Sequence, residues 1–334
     1  MPDFQSEKRI VLDCYKHMAA AAPDQIGKTL SRHMAPDALW RGCHPFNTLH
    51  GPEEVAATFW APLMRAFSHL ARRQDIFLAG RNEIDGEATV WVASMGHLMG
   101  LFDRDWLGLQ PTGKLIFLRY AEFMRIDAGQ IAETALFFDI PHLMMQAGLT
   151  PFPPQTAAHL VQPGPEPHTG LLFDAQPAAE GTATLAAINA MVRDLGTWNL
   201  GLPLEEELAR TWHDDMLWWG PAGIGASYTI ARYAQQHAGP FRAAFRDRSA
   251  TSHICRMAEG EYGGFFGWPN FTARHIGGFM GMPGSETPGE MRVVDIYRRR
   301  GGKLAENWVF IDLLHFWKTQ GVDILARMQT VPRT

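Results

Sequence analysis

The stretch KLAENWVFIDLLHFWKTQG at residues 303–321 decides the fold, because a divergent copy of it, QIAETALFFDIPHLMMQAG, stands at residues 130–148. Laid over each other without a gap, the copies share Ala132 with Ala305, Glu133 with Glu306, Asp139 with Asp312, His142 with His315 and Gly148 with Gly321. Each copy has the pattern of a strand that ends at the Asp and leads into a short helix. Two such copies in one chain indicate a duplicated structural unit.

The repeat extends towards the N-terminus of each copy. LSRHMAPDALWRG at 30–42 matches LARTWHDDMLWWG at 208–220, and GHLMGLF at 96–102 matches RHIGGFM at 274–280, which aligns His97 with His275. Between the copies, prolines cluster over residues 151–181, where they remove backbone donors and disfavour helix in their neighbours. We therefore predict two domains, 1–150 and 182–334, joined by a proline-rich linker at 151–181.

Both halves follow the same order of predicted elements. Each opens with apolar residues at helical spacing, EKRIVLDCYKHMAAA at 7–21 and TATLAAINAMVRDL at 182–195, and each ends in a run of strands. The turns DAGQ at 127–130 and RGGK at 300–303 join the last two strands as glycine-containing hairpins. Helices followed by antiparallel strands predict the α+β class, with a curved antiparallel sheet wrapped over helices in each domain.

Composition narrows the function classes. The 334-residue chain is 46% hydrophobic and 19% charged, which suits two domains of ordinary size. Its N-terminus lacks a secretion signal and no apolar run reaches the roughly 18 residues that span a bilayer, so we expect a cytoplasmic protein without a membrane partner. A net charge of -5 disfavours a nucleic-acid partner. The 3 cysteines and 14 histidines lack metal-ligand spacing, so we expect neither metal nor cofactor.

The stretch RHIGGFMGMPGSETPGEMRVVDIYRRRGGKLAENWVFIDLLHFWKTQG at 274–321 carries a family pattern. Its strand with His and Gly, its GxP-type turn, its hairpin ending in GGK, its EN-W strand and its closing D-L-L segment follow one another in order. In this it resembles the polyketide-cyclase branch, often called SnoaL-like, of the nuclear transport factor 2 superfamily. The first copy is similar through GHLMGLF, PTGK, DAGQIAET and FDIPHLMMQAG. The resemblance implies two cone-shaped α+β barrels, each with an internal pocket.

The resemblance also implies a reaction, a cofactor-free aldol closure in which an aspartate takes a proton from the carbon beside a carbonyl. In the family pattern that aspartate stands on the last strand, three residues before the closing Asp. Those positions are Leu136 and Val309 in this chain. Because an aliphatic side chain cannot accept a proton, the chemistry has moved, changed or been lost.

Two carboxylates one strand earlier are the better candidates for a base. Asp295 shares an otherwise apolar strand face with Tyr297, and Glu122 stands in the same pattern in the first copy. A carboxylate facing an apolar cavity has a raised pKa or a partner, and a raised pKa suits a general base. On the next strand, Asn307 and Val309 share the face that the resemblance turns towards the pocket.

Histidines and tryptophans complete the predicted site. His275 and His97 stand on the preceding strand, from which an imidazole can reach a carboxylate opposite, although a satisfied core histidine is the alternative. We predict Asp295 and His275 as the catalytic pair. The predicted substrate-binding residues are Asn307, Trp218, Trp268, Tyr297, Val309, Glu122, His97 and His44.

The polar residues of the opening stretch are better explained by architecture than by chemistry. Asp139 and Asp312 stand where a strand ends and a short helix begins, so we expect them to cap the free N–H groups of that helix. His142 and His315, three residues later, are expected to be structural.

These observations predict a tandem SnoaL-like protein that acts without cofactor on a small, largely apolar carbonyl or hydroxy compound. The expected chemistry is proton transfer, as in a cyclase, isomerase or lyase. One alternative is a binding protein whose pockets hold a metabolite without reaction, and another is one active half with the other as its scaffold. A homo-oligomer could form through exposed sheet faces.

Overall fold

A computed structural model describes residues 3–158, 162–197, 200–250 and 253–331 of the chain. The first half contains, in order, α1 (Gln5–Ala20), α2 (Ile26–Leu30), β1 (Met34–Gly42), β2 (Asn47–His50), α3 (Gly51–Val55), a π-helical turn (Ala56–Trp60), α4 (Ala61–Ala66), β3 (Phe67–Arg81), a 3-10 turn (Glu83–Asp85), β4 (Val90–Phe102), β5 (Leu115–Asp127), β6 (Gln130–Phe138) and α5 (Ile140–Gln146).

The second half repeats this succession with small changes. It contains α6 (Ala178–Thr197), α7 (Leu204–Leu208), β7 (Trp212–Trp219), β8 (Ala226–Tyr228), α8 (Ile230–Tyr233), a π-helical turn (Ala234–Ala238), α9 (Gly239–Ala244), β9 (Phe245–Ala250), β10 (Cys255–Glu259), β11 (Tyr262–His275), a 3-10 turn (Phe279–Gly281), β12 (Pro288–Arg300), β13 (Lys303–Ile311), α10 (Leu313–Thr319) and α11 (Ile324–Gln329).

The two sheets have the same topology. The first sheet has the order β2-β1-β6-β5-β4-β3, and the second has β8-β7-β13-β12-β11, with both β9 and β10 paired to β11 at its edge. The single long strand β3 is thus divided into β9 and β10 in the second half. The expected pair of α+β domains is confirmed. One pair in each sheet, β1 with β6 and β7 with β13, is parallel, so the sheets are mixed and not wholly antiparallel.

Local sequence explains the opening helices and the final hairpins. Buried positions recur at helical spacing in α1 at Val11, Cys14 and Tyr15, which turns one face of the helix onto the first sheet. The DAGQ turn between β5 and β6 places Ala128 and Gly129 at φ of 46° and 79°. Two consecutive positive φ angles are typical of the tight hairpin turns that match strand twist.

The two domains are joined by a duplicated contact. Asp139 caps α5 by accepting from His142 N at 3.0 Å, and its second oxygen accepts from Ala222 N of the other domain at 2.9 Å. Asp312 caps α10 by accepting from His315 N at 3.1 Å, and its second oxygen accepts from His44 N at 2.9 Å. The capping prediction is confirmed, and each cap also binds the opposite domain.

The sheet faces turned away from the helices pack against each other. Phe266 of the second sheet contacts Trp91 and Phe123 of the first, with both pairs of ring centroids 5.4 Å apart. Arg119 donates to Trp219 O and Val309 O across the same boundary, at 2.9 and 3.0 Å. The faces on which we expected a homo-oligomer to form are therefore covered within one chain.

The segment between α5 and α6 packs on both domains. Trp308 Nε1 donates to Pro163 O at 3.0 Å, and Phe77 N donates to Gly170 O at 2.8 Å. Leu171 pairs with Phe77 through an isolated parallel bridge. Within the described parts of the chain, no helix has the length and apolar character needed to cross a membrane.

Candidate active site

The second domain encloses a cavity of about 130 Å³ between its helices and the concave face of its sheet. The walls come from α6, α7, β7, the helical segment α8–α9, β9, β11, β12 and β13. The lining side chains are Met191, Leu195, Leu208, Trp212, Trp218, Tyr233, His237, Ala238, Phe241, Arg242, Arg248, Phe271, Met291, Val293, Asp295, Tyr297, Asn307, Val309 and Ile311. Most of these side chains are apolar or aromatic, so a buried charge here is poorly solvated.

Asp295 is the only acid among the described residues that line this cavity. Asn307 Nδ2 donates to its Oδ1 at 3.1 Å and to Ile296 O, also at 3.1 Å, which fixes the amide and orients the carboxylate. The Tyr297 hydroxyl also bonds the carboxylate. Burial raises the pKa of Asp295 to about 6, and the hydrogen bonds from Asn307 and Tyr297 lower it only in part. Asp295 is thus a carboxylate that exchanges protons near neutral pH.

Strand register explains why these residues converge. Asp295 on β12 pairs with Val309 on β13, and Tyr297 pairs with Asn307. Directly opposed residues of an antiparallel pair lie on the same face, and alternate residues along each strand do too. The four side chains therefore face the cavity together, as the alternation in the sequence predicts.

An aromatic wall stands on the helical side. His237, on the π-helical turn Ala234–Ala238, stacks on Trp218 with ring centroids 4.2 Å apart. Its Nδ1 is buried and has no hydrogen-bond partner within the described ranges. Burial lowers the pKa of His237 to about 3, so its imidazole is neutral. Tyr233 lies beside both rings, and burial raises the pKa of its phenol, which stays protonated.

Sequence reasoning missed His237 and Tyr233. The one available signal was the repeat itself, because extending the match of 30–42 with 208–220 forward places His237 at Phe59 of the first copy. A polar residue that replaces a core aromatic on the same helical segment is a candidate for function.

The arginines of the cavity wall are engaged elsewhere. Arg242 Nη1 donates to Glu207 Oε2 at 2.9 Å, and this pairing holds the pKa of Glu207 below its usual range. Arg248 Nη1 donates to Leu195 O at 2.9 Å, and its guanidinium lies 4.8 Å from the ring centroid of Phe271. Neither arginine is among the groups that shift the pKa of Asp295, so burial dominates there.

Two predicted residues of the second domain lie outside the cavity. His275 is fully buried in the core, where its Nε2 accepts from Phe279 N at 3.1 Å and its ring contacts Trp317. The expected pairing of His275 with Asp295 is wrong, because Asp295 pairs with Phe265, near the other end of β11. Trp268 is not a cavity wall either: its ring packs against Phe137 of the first domain, with centroids 5.5 Å apart, and the Arg292 guanidinium lies 4.0 Å from its centroid.

His97 and His44 also lie outside the cavities around Asp295 and Glu122. His97 stands opposite Arg119, on the sheet face turned away from the helices, and its Nδ1 lies 3.4 Å from Asp75 Oδ2. It therefore cannot meet Glu122, which pairs with Ser94 on the opposite face. The His44 ring lies 3.5 Å from Lys318 Nζ, and burial lowers the pKa of His44.

Glu122 lies at the first domain's equivalent of the Asp295 position but in a different environment. Its Oε2 accepts from Tyr15 OH at 2.6 Å and from Arg72 Nη1 at 2.9 Å. The space around it is about 20 Å³, against about 130 Å³ around Asp295. An ion-paired carboxylate without room for a ligand is a structural group and not a base.

Part of the second half of the chain matches a family model. The family model for SnoaL-like polyketide cyclase matches residues 204–318. No curated protein matches the chain.

Several solved structures are similar to about half of it. A Jannaschia sp. CCS1 protein described as a SnoaL-like polyketide cyclase is 21% identical, covers 46% of this chain and 97% of its own, and aligns with a TM-score of 0.37. An NTF2-like protein from Burkholderia xenovorans LB400 is 15% identical over 42% and 97%, with a TM-score of 0.34. An M. tuberculosis LEH-like epoxide hydrolase is 13% identical over 44% and 96%, with a TM-score of 0.32. Residues 204–318, which contain Asp295, Asn307 and His237, are thus similar to the SnoaL-like polyketide cyclases, and the first half of the chain repeats the topology of the second.

Proposed function

We propose that the cavity of the second domain catalyses cofactor-independent proton transfer on a small apolar carbonyl compound, with Asp295 as the base. The observation that carries this proposal is a single carboxylate, with a pKa of about 6, held by Asn307 in an otherwise apolar cavity. A base is most useful when its pKa lies near the working pH. At neutral pH Asp295 is mostly ionised, yet it still binds a proton strongly enough to take one from carbon.

The reaction begins at the carbon beside the carbonyl. One Asp295 oxygen takes the proton, the C–H bond breaks, and its electron pair forms the C=C bond of an enolate while the carbonyl oxygen becomes negative. In an isomerase, Asp295 then returns the proton to another carbon of the enolate. In a cyclase, the enolate carbon attacks a second carbonyl carbon of the same molecule, the π bond of that carbonyl breaks, and Asp295 gives the proton to the resulting alkoxide. Asn307 holds the carboxylate through both steps.

His237 is suited to stabilise the negative oxygen. A neutral imidazole donates one N–H, and the buried Nδ1 of His237 has no partner of its own in the described parts of the chain. A donor fixed where charge develops contributes more in a dry cavity than in water. This role, which we expected of His275, passes to His237, and His275 has no part in it.

Cavity size limits the substrate. An apolar cavity of roughly 150 Å³ holds one benzene molecule, so a cavity of about 130 Å³ suits a single ring or a short branched chain. The first domain supplies no second active site under this proposal, because the carboxylate of Glu122 is already hydrogen-bonded to Arg72 and Tyr15. The alternative in which one half is active and the other is its scaffold is therefore better supported than two active halves.

The test is deuterium exchange at the carbon beside the carbonyl, measured by NMR for cyclopentanone and cyclohexanone in heavy water. We expect the wild-type protein to exceed the buffer rate, and Asp295→Asn to lose about 100-fold or more of that excess, since general-base catalysis is worth roughly that much. Ligand binding without exchange by the wild type would favour the binding-protein alternative. A folded Asp295→Asn protein with full exchange would remove Asp295 from the mechanism.

A further inference from the structure

The proline-rich linker passes over the helical side of the second domain, next to the aromatic wall. Linker residues 154–156 line a small cavity of about 70 Å³, whose other walls include residues 278–281 and the π-helical turn that carries His237. His237 also lines the larger cavity of about 130 Å³ around Asp295. Its imidazole therefore stands between the two cavities.

Close packing alone does not hold this imidazole. The equivalent ring of the first domain, Phe59, is fully buried, with the rings of Phe46 and Phe138 at 5.0 and 5.1 Å. Among the described residues, Trp218 is the only ring in contact with His237 that lies outside the helical segment α8–α9. A ring in a filled core keeps its position by packing, whereas His237 borders empty space and depends on whatever holds its turn.

The linker holds that turn through a reciprocal pair of hydrogen bonds. Thr156 Oγ1 donates to Gln236 O at 3.0 Å, and Gln236 Nε2 donates to Thr156 O at 3.3 Å. Gln236 directly precedes His237 on the π-helical turn Ala234–Ala238. Turns of this kind are rare and occur frequently at functional sites. The two bonds fix the backbone next to the imidazole against the linker.

The same short segment also holds the strands on which the stacking partner of the imidazole lies. Ala158 and Ala226 exchange two backbone hydrogen bonds, of 3.1 and 2.9 Å, and Gln155 Oε1 accepts from Gly223 N at 3.1 Å. Ala226 begins β8, which pairs with β7 beside Trp218. Linker residues 155–158 thus connect the π-helical turn to the β7–β8 pair and set the position of one relative to the other.

Building on the role proposed for His237 above, we propose that linker residues 155–158 fix its imidazole at the cavity wall, with Thr156 and Gln236 as positioning residues. Neither Thr156 nor Gln236 lines the cavity around Asp295, so they act on the reaction only through His237. A donor aimed at a developing charge is sensitive to its position, and a misplacement of about 1 Å can cost roughly 100-fold in rate. The linker is then part of the working site as well as the connection between the domains.

Deuterium exchange of cyclopentanone by full-length variants gives the first measurement. Thr156→Val and Gln236→Met each remove one of the two bonds, so each should lower kcat about tenfold and leave KM within about twofold. Thr156→Ser keeps the hydroxyl and should stay within about twofold of the wild type. The matched control is Thr182→Val, which removes a hydroxyl bond to Ala178 O at 3.1 Å on α6 and should leave kcat unchanged. Because Thr156 and Thr182 are both exposed, their melting temperatures should stay close to that of the wild type.

NMR of the histidine ring protons gives a second measurement, which does not depend on turnover. Stacking on Trp218 shifts the ring-proton signals of His237 upfield, and His237→Phe identifies these signals by their loss. Thr156→Val and Gln236→Met should move them towards the unstacked value, whereas Thr182→Val should not. Unchanged signals in both variants, or displaced signals with an unchanged kcat, would overturn the proposal. If the wild type does not catalyse exchange, the function proposed above fails, and the NMR signals alone decide whether the linker positions His237.

Discussion

Asp295 lies directly opposite Val309 across the antiparallel pair of β12 and β13. Val309 occupies the position where the resemblance to the cyclases implies the catalytic aspartate. Opposed residues of such a pair have their Cβ atoms about 5 Å apart and face the same side. The carboxylate therefore stands one strand away from the expected position and still faces the same cavity. The first domain has the same displacement, with Glu122 opposite Leu136.

The pH dependence of turnover follows from the pKa of Asp295. If the ionised carboxylate is the base, kcat/KM for deuterium exchange should rise about tenfold per pH unit below pH 6 and level off above about pH 7. His237 contributes no second inflection there, because its pKa is lowered to about 3. A rate that stays constant from pH 5 to pH 8 would contradict the assignment.

Sequence alone was enough for the architecture and for part of the site. The repeat predicted the duplicated α+β topology, and strand alternation placed Asp295, Tyr297, Asn307 and Val309 on one face. Both inferences rest on periodicity, which the backbone enforces. The capping role of Asp312 was equally local.

Residues whose position depends on register were not predictable. The match of GHLMGLF with RHIGGFM aligned His97 with His275, but Ser94 lies opposite Glu122 and Phe265 lies opposite Asp295. Counted from these opposed pairs, His97 corresponds to Trp268 and not to His275. His97 stands in mid-strand opposite Arg119, whereas His275 ends β11 opposite Phe245. Nor could sequence foresee Arg72, which reaches Glu122 from β3, two strands away in the sheet.

Stability should change with pH in a way that identifies Asp295. Its folded pKa, about 6, lies above the unfolded value of 3.8, so the folded state favours the protonated form. The associated stability is present below about pH 4 and is lost as pH rises through about 6. Asp295→Asn does not titrate and so does not show this loss. Its free energy of unfolding minus that of the wild type should therefore increase by about 2 kcal/mol between pH 4.5 and pH 8.

Urea denaturation measures these stabilities, and Glu122→Gln is the control variant. Because Glu122 is the ion-pair partner of the largely buried Arg72, the substitution leaves a guanidinium without its carboxylate. We expect it to destabilise the protein by about 3 kcal/mol at pH 8, the opposite sign to Asp295→Asn. Equal signs for the two variants would show that the two carboxylates have similar environments.

His237→Phe separates chemistry from packing. The substitution introduces the residue of the equivalent first-domain position, Phe59, which contacts Trp40 as His237 contacts Trp218. The aromatic contact is kept and the N–H donor is lost, so deuterium exchange should slow by about 10-fold to 100-fold with little change in melting temperature. His275→Phe should do the reverse, lowering the melting temperature through loss of the acceptor for Phe279 N while leaving the exchange rate unchanged. Equal exchange rates for wild type and His237→Phe would assign His237 to the wall alone.

Each helix-capping aspartate also binds the opposite domain, so we predict that Asp312 stabilises both its own helix and the contact between the two domains. Asp312 accepts from His315 N within its own helix and from His44 N of the other domain, and Arg292 Nη1 lies 3.5 Å from it. Asp312→Ala removes both bonds and leaves Arg292 without this partner, so urea denaturation should show a loss of about 3 kcal/mol.

Two further variants divide that loss into its parts. Asp323→Ala removes a cap that accepts from Ala326 N and a largely exposed ion pair with Lys318 Nζ at 3.2 Å, so it should cost about 1 kcal/mol. Asp312→Asn can still cap α10 through its carbonyl oxygen, but its amide N–H groups then face the N–H of His44. Because the bond to His44 is lost, most of the destabilisation should remain if it comes from the contact between the domains. Equal costs for Asp312→Ala and Asp323→Ala would mean that the cross-domain bond contributes nothing. A larger cost for Asp312→Ala, largely retained in Asp312→Asn, would show that each half depends on the other for its stability.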